Sequence, residues 1–299
     1  MTHRQNTAFI LHRAQIIDRI IHTMFYLIVG IFSLACLLPF WLVFINSLAQ
    51  PQDLVRGFCM LPKDLTFDTY NYLIRHSSIM RNFLSSMLIT GTGTVLSVLV
   101  STMYAYGLAH PRVERRYLLA FLTYIPMILG SGLVGSYLLV VKYLGLKDTY
   151  LSMILPYTVN PFYVFIMISF FRTLPYEIIE AAYIDGAGDL RIFFKVVWPL
   201  SVIPTVTVTL FYALTYWNDW WLAMLYVNDT AKQPLQIMIR NITSQREMAS
   251  MISTVNAGAI QPINVQLATV CLAIGPIVLL YPFLQRYFVR GVIVGAVKG

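Results

Sequence analysis

Charged residues are scarce in this sequence. Asp, Glu, Lys and Arg make up 11% of its 299 residues, whereas an average soluble domain contains roughly 25%. Hydrophobic residues make up 58% of the chain, and the mean hydropathy is +0.69. A soluble fold of this length could hardly cover its surface with so few charges, but a lipid-facing exterior removes that need. The composition therefore excludes an ordinary soluble domain and indicates a membrane protein.

Cysteines and catalytic motifs are scarce as well. The three cysteines, Cys36, Cys59 and Cys271, form no CxxC pair and no Cys/His cluster, so neither a metal site nor a disulfide framework is expected. The chain has no GxxxxGK(S/T), no HExxH and no GxSxG. Those patterns cradle ATP phosphates, bind zinc and present a nucleophilic serine, respectively. We therefore expect this chain to be no enzyme and to bind no cofactor or metal itself.

The charge that is present is mostly positive. With 21 Lys and Arg against 13 Asp and Glu, the net charge is +8, which in a soluble protein would suggest nucleic acid. Here the basic residues lie at the ends of apolar runs, a pattern typical of membrane orientation and of contact with anionic lipid head groups. Membrane lipid is therefore an expected partner, and nucleic acid is not.

Six apolar segments are long enough to cross a membrane, for which a helix needs about 20 residues. The fifth is about 31 residues long, too long for a straight crossing, so it must tilt, bend or project. The expected fold is an all-α polytopic membrane protein with six transmembrane helices. The segments are 24–46, 83–109, 117–141, 150–171, 197–227 and 266–288.

Lys and Arg concentrate in the loops that remain on the cytoplasmic side of a membrane. If the N-terminal segment is cytoplasmic, twelve basic residues fall inside and nine outside, and the short turn at 110–116 alone carries three Arg. We therefore expect both termini to be cytoplasmic. The predicted organisation is a cytoplasmic segment, a first transmembrane helix, an external loop, a five-helix core and a cytoplasmic tail, at 1–23, 24–46, 47–82, 83–288 and 289–299.

The segment between the fourth and fifth spans has the pattern of a helix, a turn and a second helix. Pro175 fits a first helical turn, and Asp185-Gly186-Ala187-Gly188 breaks the helix that follows. A second helix then carries Arg191 and Lys195 on its polar side. The result is a short amphipathic hairpin at the membrane face. An amphipathic segment that merely lies on the lipid surface is the alternative.

Within this hairpin, Glu180-Ala181-Ala182 is followed by Gly186, Val196 and Pro199 at fixed spacing. The pattern resembles the EAA motif of ABC importer permeases. The resemblance implies that residues 172–199, here called the coupling loop, form a coupling helix that sits in a groove of a separate ATP-binding subunit, which binds ATP and Mg. Five residues would then couple transport to ATP hydrolysis: Glu180, Ala181, Ala182, Asp185 and Gly186.

Two other stretches narrow the resemblance. Trp217-Asn218-Asp219 and the segment 281–288 resemble carbohydrate-importer permeases of the maltose type, and the tail 290–299 resembles the branch of lipoprotein- and polysaccharide-linked permeases, near the importer of alginate oligosaccharides. The resemblance implies a permease in the bacterial cytoplasmic (inner) membrane for a sugar or oligosaccharide, with a uronate oligosaccharide such as alginate as a candidate. It also implies two ATP-binding subunits, a second homologous permease and an external solute-binding protein as partners.

A substrate path would use aromatic faces and hydrogen-bonding side chains inside the spans. The candidates are Trp217, Asn218, Asp219, Tyr124, Asn160 and Tyr163. For the tryptophan and its neighbours the alternative is an aromatic belt at the membrane interface. For the others it is hydrogen bonding between helices.

An ion-coupled secondary transporter is the alternative function. Such transporters use charged or broken helices near the bilayer midplane, often in repeated halves. The sequence has no internal repeat and almost no charge within its spans. It also lacks the nucleophile, base and orienting group of a membrane enzyme.

Overall fold

The structure is a computed structural model, and it describes residues 2–54, 57–62, 64–76, 78–130, 132–243 and 263–278. Within those ranges every named secondary-structure element is a helix. An isolated antiparallel bridge also joins Ala49 to Leu65. The all-α prediction is therefore confirmed. The chain divides into two compact units: Met1–Tyr70 with Ala257–Cys271, and Asn71–Asn256 with Leu272–Gly299.

The first unit is built on a long helix, α1 (Thr2–Ser47), followed by α2 (Pro51–Leu54). Exposed apolar side chains line the part of α1 from Ile20 to Phe44, where Tyr26 and Phe32 are 72% and 69% exposed, as expected of a helix surrounded by lipid. Asn46 anchors the following segment, because its side chain both accepts from the N–H of Cys59 and donates to the Cys59 carbonyl, each at 2.8 Å. The segment that contains Cys59 is thereby folded against the end of α1.

The second unit is a bundle of helices separated by short turns. After α3 (Asp68–His76), which begins in the first unit, the elements are α4 (Ile79–Ala109), α5 (Arg116–Leu129), α6 (Leu133–Tyr143), α7 (Leu151–Tyr157), α8 (Pro161–Phe171), α9 (Tyr176–Ile184), α10 (Asp189–Leu200), α11 (Val202–Asn218), α12 (Trp221–Tyr226) and α13 (Leu235–Thr243). The last described helix, α14 (Ile263–Val278), begins in the first unit and ends in the second.

The spans are less regular than the sequence predicts. Asp18–Ser47 and Ile79–Ala109 are long and apolar enough to cross a membrane, and three pairs of helices joined at sharp breaks, α5 with α6, α7 with α8 and α10 with α11, would raise the number of spans to five. The sixth expected span begins within α14, and residues 279–288 lie outside the described part. The six-span layout therefore stays a prediction, as do the segment boundaries, including the tail 289–299.

The fifth expected span, 197–227, is not one helix. The axes of α10 and α11 differ by 88°, so Val197 belongs to the coupling loop and the straight membrane segment is α11. Pro204 explains the bend, because it has no N–H to donate to the carbonyl of Leu200 and cannot continue the earlier helix. After α11 the chain breaks again at Asp219 before α12 begins.

The core of this unit lies where α11 packs against α4. Gly93 makes the close approach possible, because a β-carbon at that position would lie 2.8 Å from the ring of Tyr216. The helix α8 also packs against α4 and against α11. Fully buried members of this core include Ala105, Val164, Met167, Val208 and Tyr212.

Candidate functional site

The coupling loop folds as the predicted hairpin, α9 followed by α10. Gly186 makes the turn between them with φ +76°, a left-handed conformation that costs glycine nothing and strains other residues. The N–H of Gly186 donates to the Tyr183 carbonyl at 2.9 Å, and the N–H of Ala187 donates to the Ala182 carbonyl at 3.0 Å. These bonds satisfy carbonyls at the end of α9 that have no partner within the helix.

The hairpin has a buried side and a free side. Ile179 is buried against the bundle and Ala182 is half-buried, whereas Glu180 is exposed. At the tip, Ile184 is 87% exposed. All five residues expected to couple transport to ATP hydrolysis lie together on this stretch: Glu180, Ala181, Ala182, Asp185 and Gly186.

The coupling loop is tied to the turn between α4 and α5 by a chain of hydrogen bonds. The N–H of Arg112 donates to Nδ1 of His110 at 3.2 Å, and Nε2 of His110 lies 3.2 Å from the Tyr183 hydroxyl. Tyr183 in turn donates to the carboxylate of Asp189. The Arg112 guanidinium also stacks over the Tyr183 ring, 3.9 Å from its centre. We call these four residues the His110 relay.

The hydrogen bonds of the His110 relay determine which nitrogen of His110 carries the proton. Because Nδ1 of His110 accepts from Arg112, the ring proton must be on Nε2, from which it is donated to Tyr183. Burial lowers the pKa of His110. The positive charges of Arg112 and Arg116 lower this pKa further, whereas the negative charge of Asp189 raises it. Burial and the hydrogen bond to Asp189 raise the pKa of Tyr183. At neutral pH both rings are therefore uncharged, as the chain of donors requires.

Inside the bundle, two tyrosines of α11 span the break between α7 and α8. The hydroxyl of Tyr216 bonds to Ser97 at 2.7 Å and donates to the Ile154 carbonyl at 2.9 Å. The hydroxyl of Tyr212 bonds to Ser101 at 2.6 Å and accepts from the N–H of Asn160 at 2.9 Å. Where a break interrupts the helical ladder, backbone groups in a membrane need other partners, and these tyrosines supply them.

Three of the residues proposed for a substrate path make contacts within the bundle. The side chain of Asn160 accepts from the N–H of Phe162 at 3.0 Å and so caps α8. The Tyr163 hydroxyl bonds to Thr215 at 3.1 Å. Tyr124 is 45% exposed and meets Phe165 edge to face. The Tyr163 contact joins α8 to α11 and fits hydrogen bonding between helices, the alternative weighed from the sequence, whereas the Asn160 contact lies within its own helix.

The Trp217-Asn218-Asp219 triplet faces three different surroundings. Trp217 is buried and its indole N–H donates to the Ala273 carbonyl at 2.9 Å. Asn218 is exposed and donates to the Leu214 carbonyl. Asp219 accepts from the hydroxyl of Tyr157 at 3.0 Å. A common substrate path through all six candidates thus stays a prediction.

The described residues contain no group of three or more His, Cys, Asp or Glu side chains placed to hold a metal ion. Neither the His110 relay nor the paired serines and tyrosines of α4 and α11 were predicted from the sequence. The sequence does contain a pattern that corresponds to the second set. Ser97 and Ser101 are four residues apart, and so are Tyr212 and Tyr216.

Comparisons with known proteins agree with the motif in the coupling loop. The chain is 37% identical to the polygalacturonan/rhamnogalacturonan transport system permease protein YtcP of Bacillus subtilis, over 94% of this chain and 99% of that protein. It is 30% identical to the melibiose/raffinose/stachyose import permease protein MelC of the same organism, over 91% and 95%. A crystal structure of a bacterial ABC transporter involved in the import of the acidic polysaccharide alginate contains a chain that is 28% identical, with a TM-score of 0.82 and coverage of 91% and 97%.

The family assignment rests on most of the bundle, including the coupling loop. Residues 97–294 match the family described as binding-protein-dependent transport system inner membrane component. This range contains the EAA pattern, the His110 relay and the break that Tyr212 and Tyr216 span. The chain therefore belongs to the binding-protein-dependent transport system inner membrane components, the permease subunits of ABC importers.

Proposed function

We propose that this chain is the permease subunit of an ABC importer that carries an oligosaccharide containing uronic acids across the bacterial cytoplasmic membrane. The chain is a transport subunit and not an enzyme, and a separate ATPase supplies the energy. The comparisons give no support to an ion-coupled secondary transporter. The observation that carries the proposal is the exposed coupling loop in a chain whose family works with binding proteins.

The coupling loop would transmit the movement of the ATPase. Glu180 and the open tip of α9 would sit in a groove of the ATP-binding subunit, and the left-handed turn at Gly186 lets α10 fold back into the bundle. Because α10 meets α11 at a right-angle bend, displacement of the hairpin would move the base of α11. The end of the bundle that carries this loop would be cytoplasmic, as would both termini.

The full transporter would contain further chains. We propose two ATP-binding subunits, a second homologous permease and an external solute-binding protein, with ATP and Mg bound by the ATPase subunits alone. The family description names binding-protein dependence directly, which supports the last of these partners. The exposed apolar surface of the bundle leaves room for both lipid and a second permease.

The proposed substrate class follows from the chemistry named in two of the relatives. Polygalacturonan is a polymer of a uronic acid, and alginate is described as acidic. In contrast, MelC is named for melibiose, raffinose and stachyose, which are neutral. The higher identity to YtcP favours an acidic oligosaccharide.

Uptake by the assembled importer tests this assignment. The complex, purified with its ATPase, second permease and binding protein, is reconstituted in liposomes, and ATP-driven uptake of oligogalacturonates is compared with uptake of raffinose. We expect uptake of the acidic oligosaccharide and little of the neutral one. Raffinose uptake that exceeds oligogalacturonate uptake would reject the substrate class while leaving the importer intact. Absence of any dependence on ATP would reject the importer itself.

A further inference from the structure

A cavity of about 300 Å³ lies beside the coupling loop, at the end of the bundle where α4 and α8 end and α5 begins. Its size is that of a small-ligand pocket. Its polar lining is basic and aromatic, with His110, Arg116, Arg172, Tyr117 and Tyr176, and none of its lining residues is a carboxylate. A cavity with this lining favours an anion.

The two arginines are not neutralised within the described part of the chain. The ion pairs found there join His22 to Asp18 and Lys232 to Asp229, and neither involves Arg116 or Arg172. One nitrogen of Arg116 donates to the Tyr117 hydroxyl at 3.2 Å. A guanidinium carries five N–H donors, so Arg116 keeps donors for a ligand while Tyr117 holds it in place.

The cavity borders an exposed apolar surface on α5. Tyr117 begins an apolar row along α5 that continues through Leu118, Phe121 and Leu122, all of them more than half exposed. In a membrane protein such a row would face the hydrocarbon of the bilayer, and the Arg and Tyr residues at its end would then lie at the level where lipid head groups and interfacial aromatic residues are found. Membrane lipids carry anionic phosphate groups at that depth.

We propose that this cavity binds the phosphodiester head group of an anionic membrane lipid. Arginine suits the task because its planar fork matches two phosphate oxygens at once. Basic pockets between transmembrane helices on the cytoplasmic side are suited to such head groups. The site shares His110 with the relay and Tyr176 with α9, so a bound lipid would also brace the coupling loop.

The test uses the importer complex with all its partner chains, stripped of lipid in mild detergent. Native mass spectrometry then measures the binding of added phosphatidylglycerol, which is anionic, and of phosphatidylcholine, which is zwitterionic. The test variant is Arg116→Gln/Arg172→Gln. The matched control is Arg115→Gln, which removes an exposed neighbouring arginine that does not line the cavity.

We expect the complex to prefer phosphatidylglycerol, and each arginine to contribute about fivefold to its apparent affinity. The double variant should lose that preference, the control should keep it, and Arg116→Lys/Arg172→Lys should recover part of it because the charge returns. Thermal unfolding in lipid-free detergent identifies a variant that fails to fold. If the glutamine variant fails to fold, lipid binding by Arg116→Lys/Arg172→Lys, compared with the unmodified complex, tests the proposal instead.

Three results would overturn the proposal. Equal lipid binding by the complex and the double variant would show that the cavity is not the site. Binding of inorganic phosphate to the complex, lost in the double variant, with no binding of phosphatidylglycerol would assign the cavity to a free anion. Binding to the isolated chain but not to the complex would mean that a partner chain, and not lipid, covers the cavity.

Discussion

At the scale of single residues, Gly186 is the position on which the coupling loop most depends. Its backbone has φ +76°, while Gly188, two residues later, has an ordinary φ of −80° and an open environment. A β-carbon at Gly186 therefore meets backbone strain and no steric obstacle. Comparing an alanine substitution at each glycine therefore separates the effect of backbone conformation from the effect of added side-chain volume.

We predict that Gly186→Ala destabilises the coupling loop by about 1–3 kcal/mol, the usual cost of a non-glycine residue in such a conformation. Hydrogen exchange of α9 and ATP hydrolysis stimulated by the loaded binding protein measure the effect, and both should change. Gly188→Ala is the control and should leave both near the values of the unmodified complex. Equal effects of the two substitutions would contradict the proposed turn.

Tyr183 is the second residue with a specific prediction, because its hydroxyl joins His110 to Asp189. Tyr183→Phe leaves the buried N–H of His110 without an acceptor, which costs about 1–3 kcal/mol. We expect lower thermal stability and less transport per ATP hydrolysed. Tyr176→Phe is the control, since the Tyr176 ring also packs on His110 but its hydroxyl makes no hydrogen bond within the described residues. A loss confined to Tyr176→Phe would exclude the relay.

The same relay predicts a pH dependence. The pKa of His110 is lowered in the folded protein, so stability from its neutral form is fully present above the unfolded pKa of about 6.5 and is lost as pH falls through the lowered folded value. Hydrogen exchange of α9, corrected for intrinsic rates, should therefore rise between pH 7.5 and pH 5.5. In His110→Gln that rise should be absent, and an identical rise in this variant would assign the effect to another group.

At the scale of helices, the contact of α4 with α11 depends on Gly93. We predict that Gly93→Ala destabilises the bundle by about 1–3 kcal/mol, because the added carbon would overlap the Tyr216 ring and force it from Ser97. Thermal unfolding of the purified chain measures this. Gly91→Ala, on the same helix with nothing within 4 Å of the added carbon, should be neutral or slightly stabilising, and matching losses would refute the close-contact explanation.

The helices also show what can be read from the sequence. The hairpin of α9 and α10 was predictable because its causes are local, namely an amphipathic period, a proline and a glycine at the turn. The bends were only partly predictable: the length of the fifth span required some distortion, but the right angle before α11 depends on Pro204 and on packing. The His110 relay was not predictable, because it joins residues 73 positions apart whose contact only the folded bundle creates.

At the scale of the whole molecule, the chain presents surfaces that suit a subunit of a larger assembly. It carries an exposed coupling loop, a cavity lined by basic and aromatic side chains and an apolar exterior, and it contains no phosphate loop for ATP. Because the chain belongs to a family of ABC-importer permease subunits, the ATPase that drives transport is a separate chain. The residues proposed to transmit that energy lie on α9 and in the turn that follows it, and the His110 relay joins this hairpin to the turn between α4 and α5.

Purification of the chain from its native membranes in mild detergent, with mass spectrometry of the proteins that accompany it, tests this account most directly. The account predicts recovery of an ATP-binding subunit and a second polytopic permease in stable ratio with this chain. Recovery of the chain alone, in a form that transports solute in liposomes with no ATPase present, would contradict it.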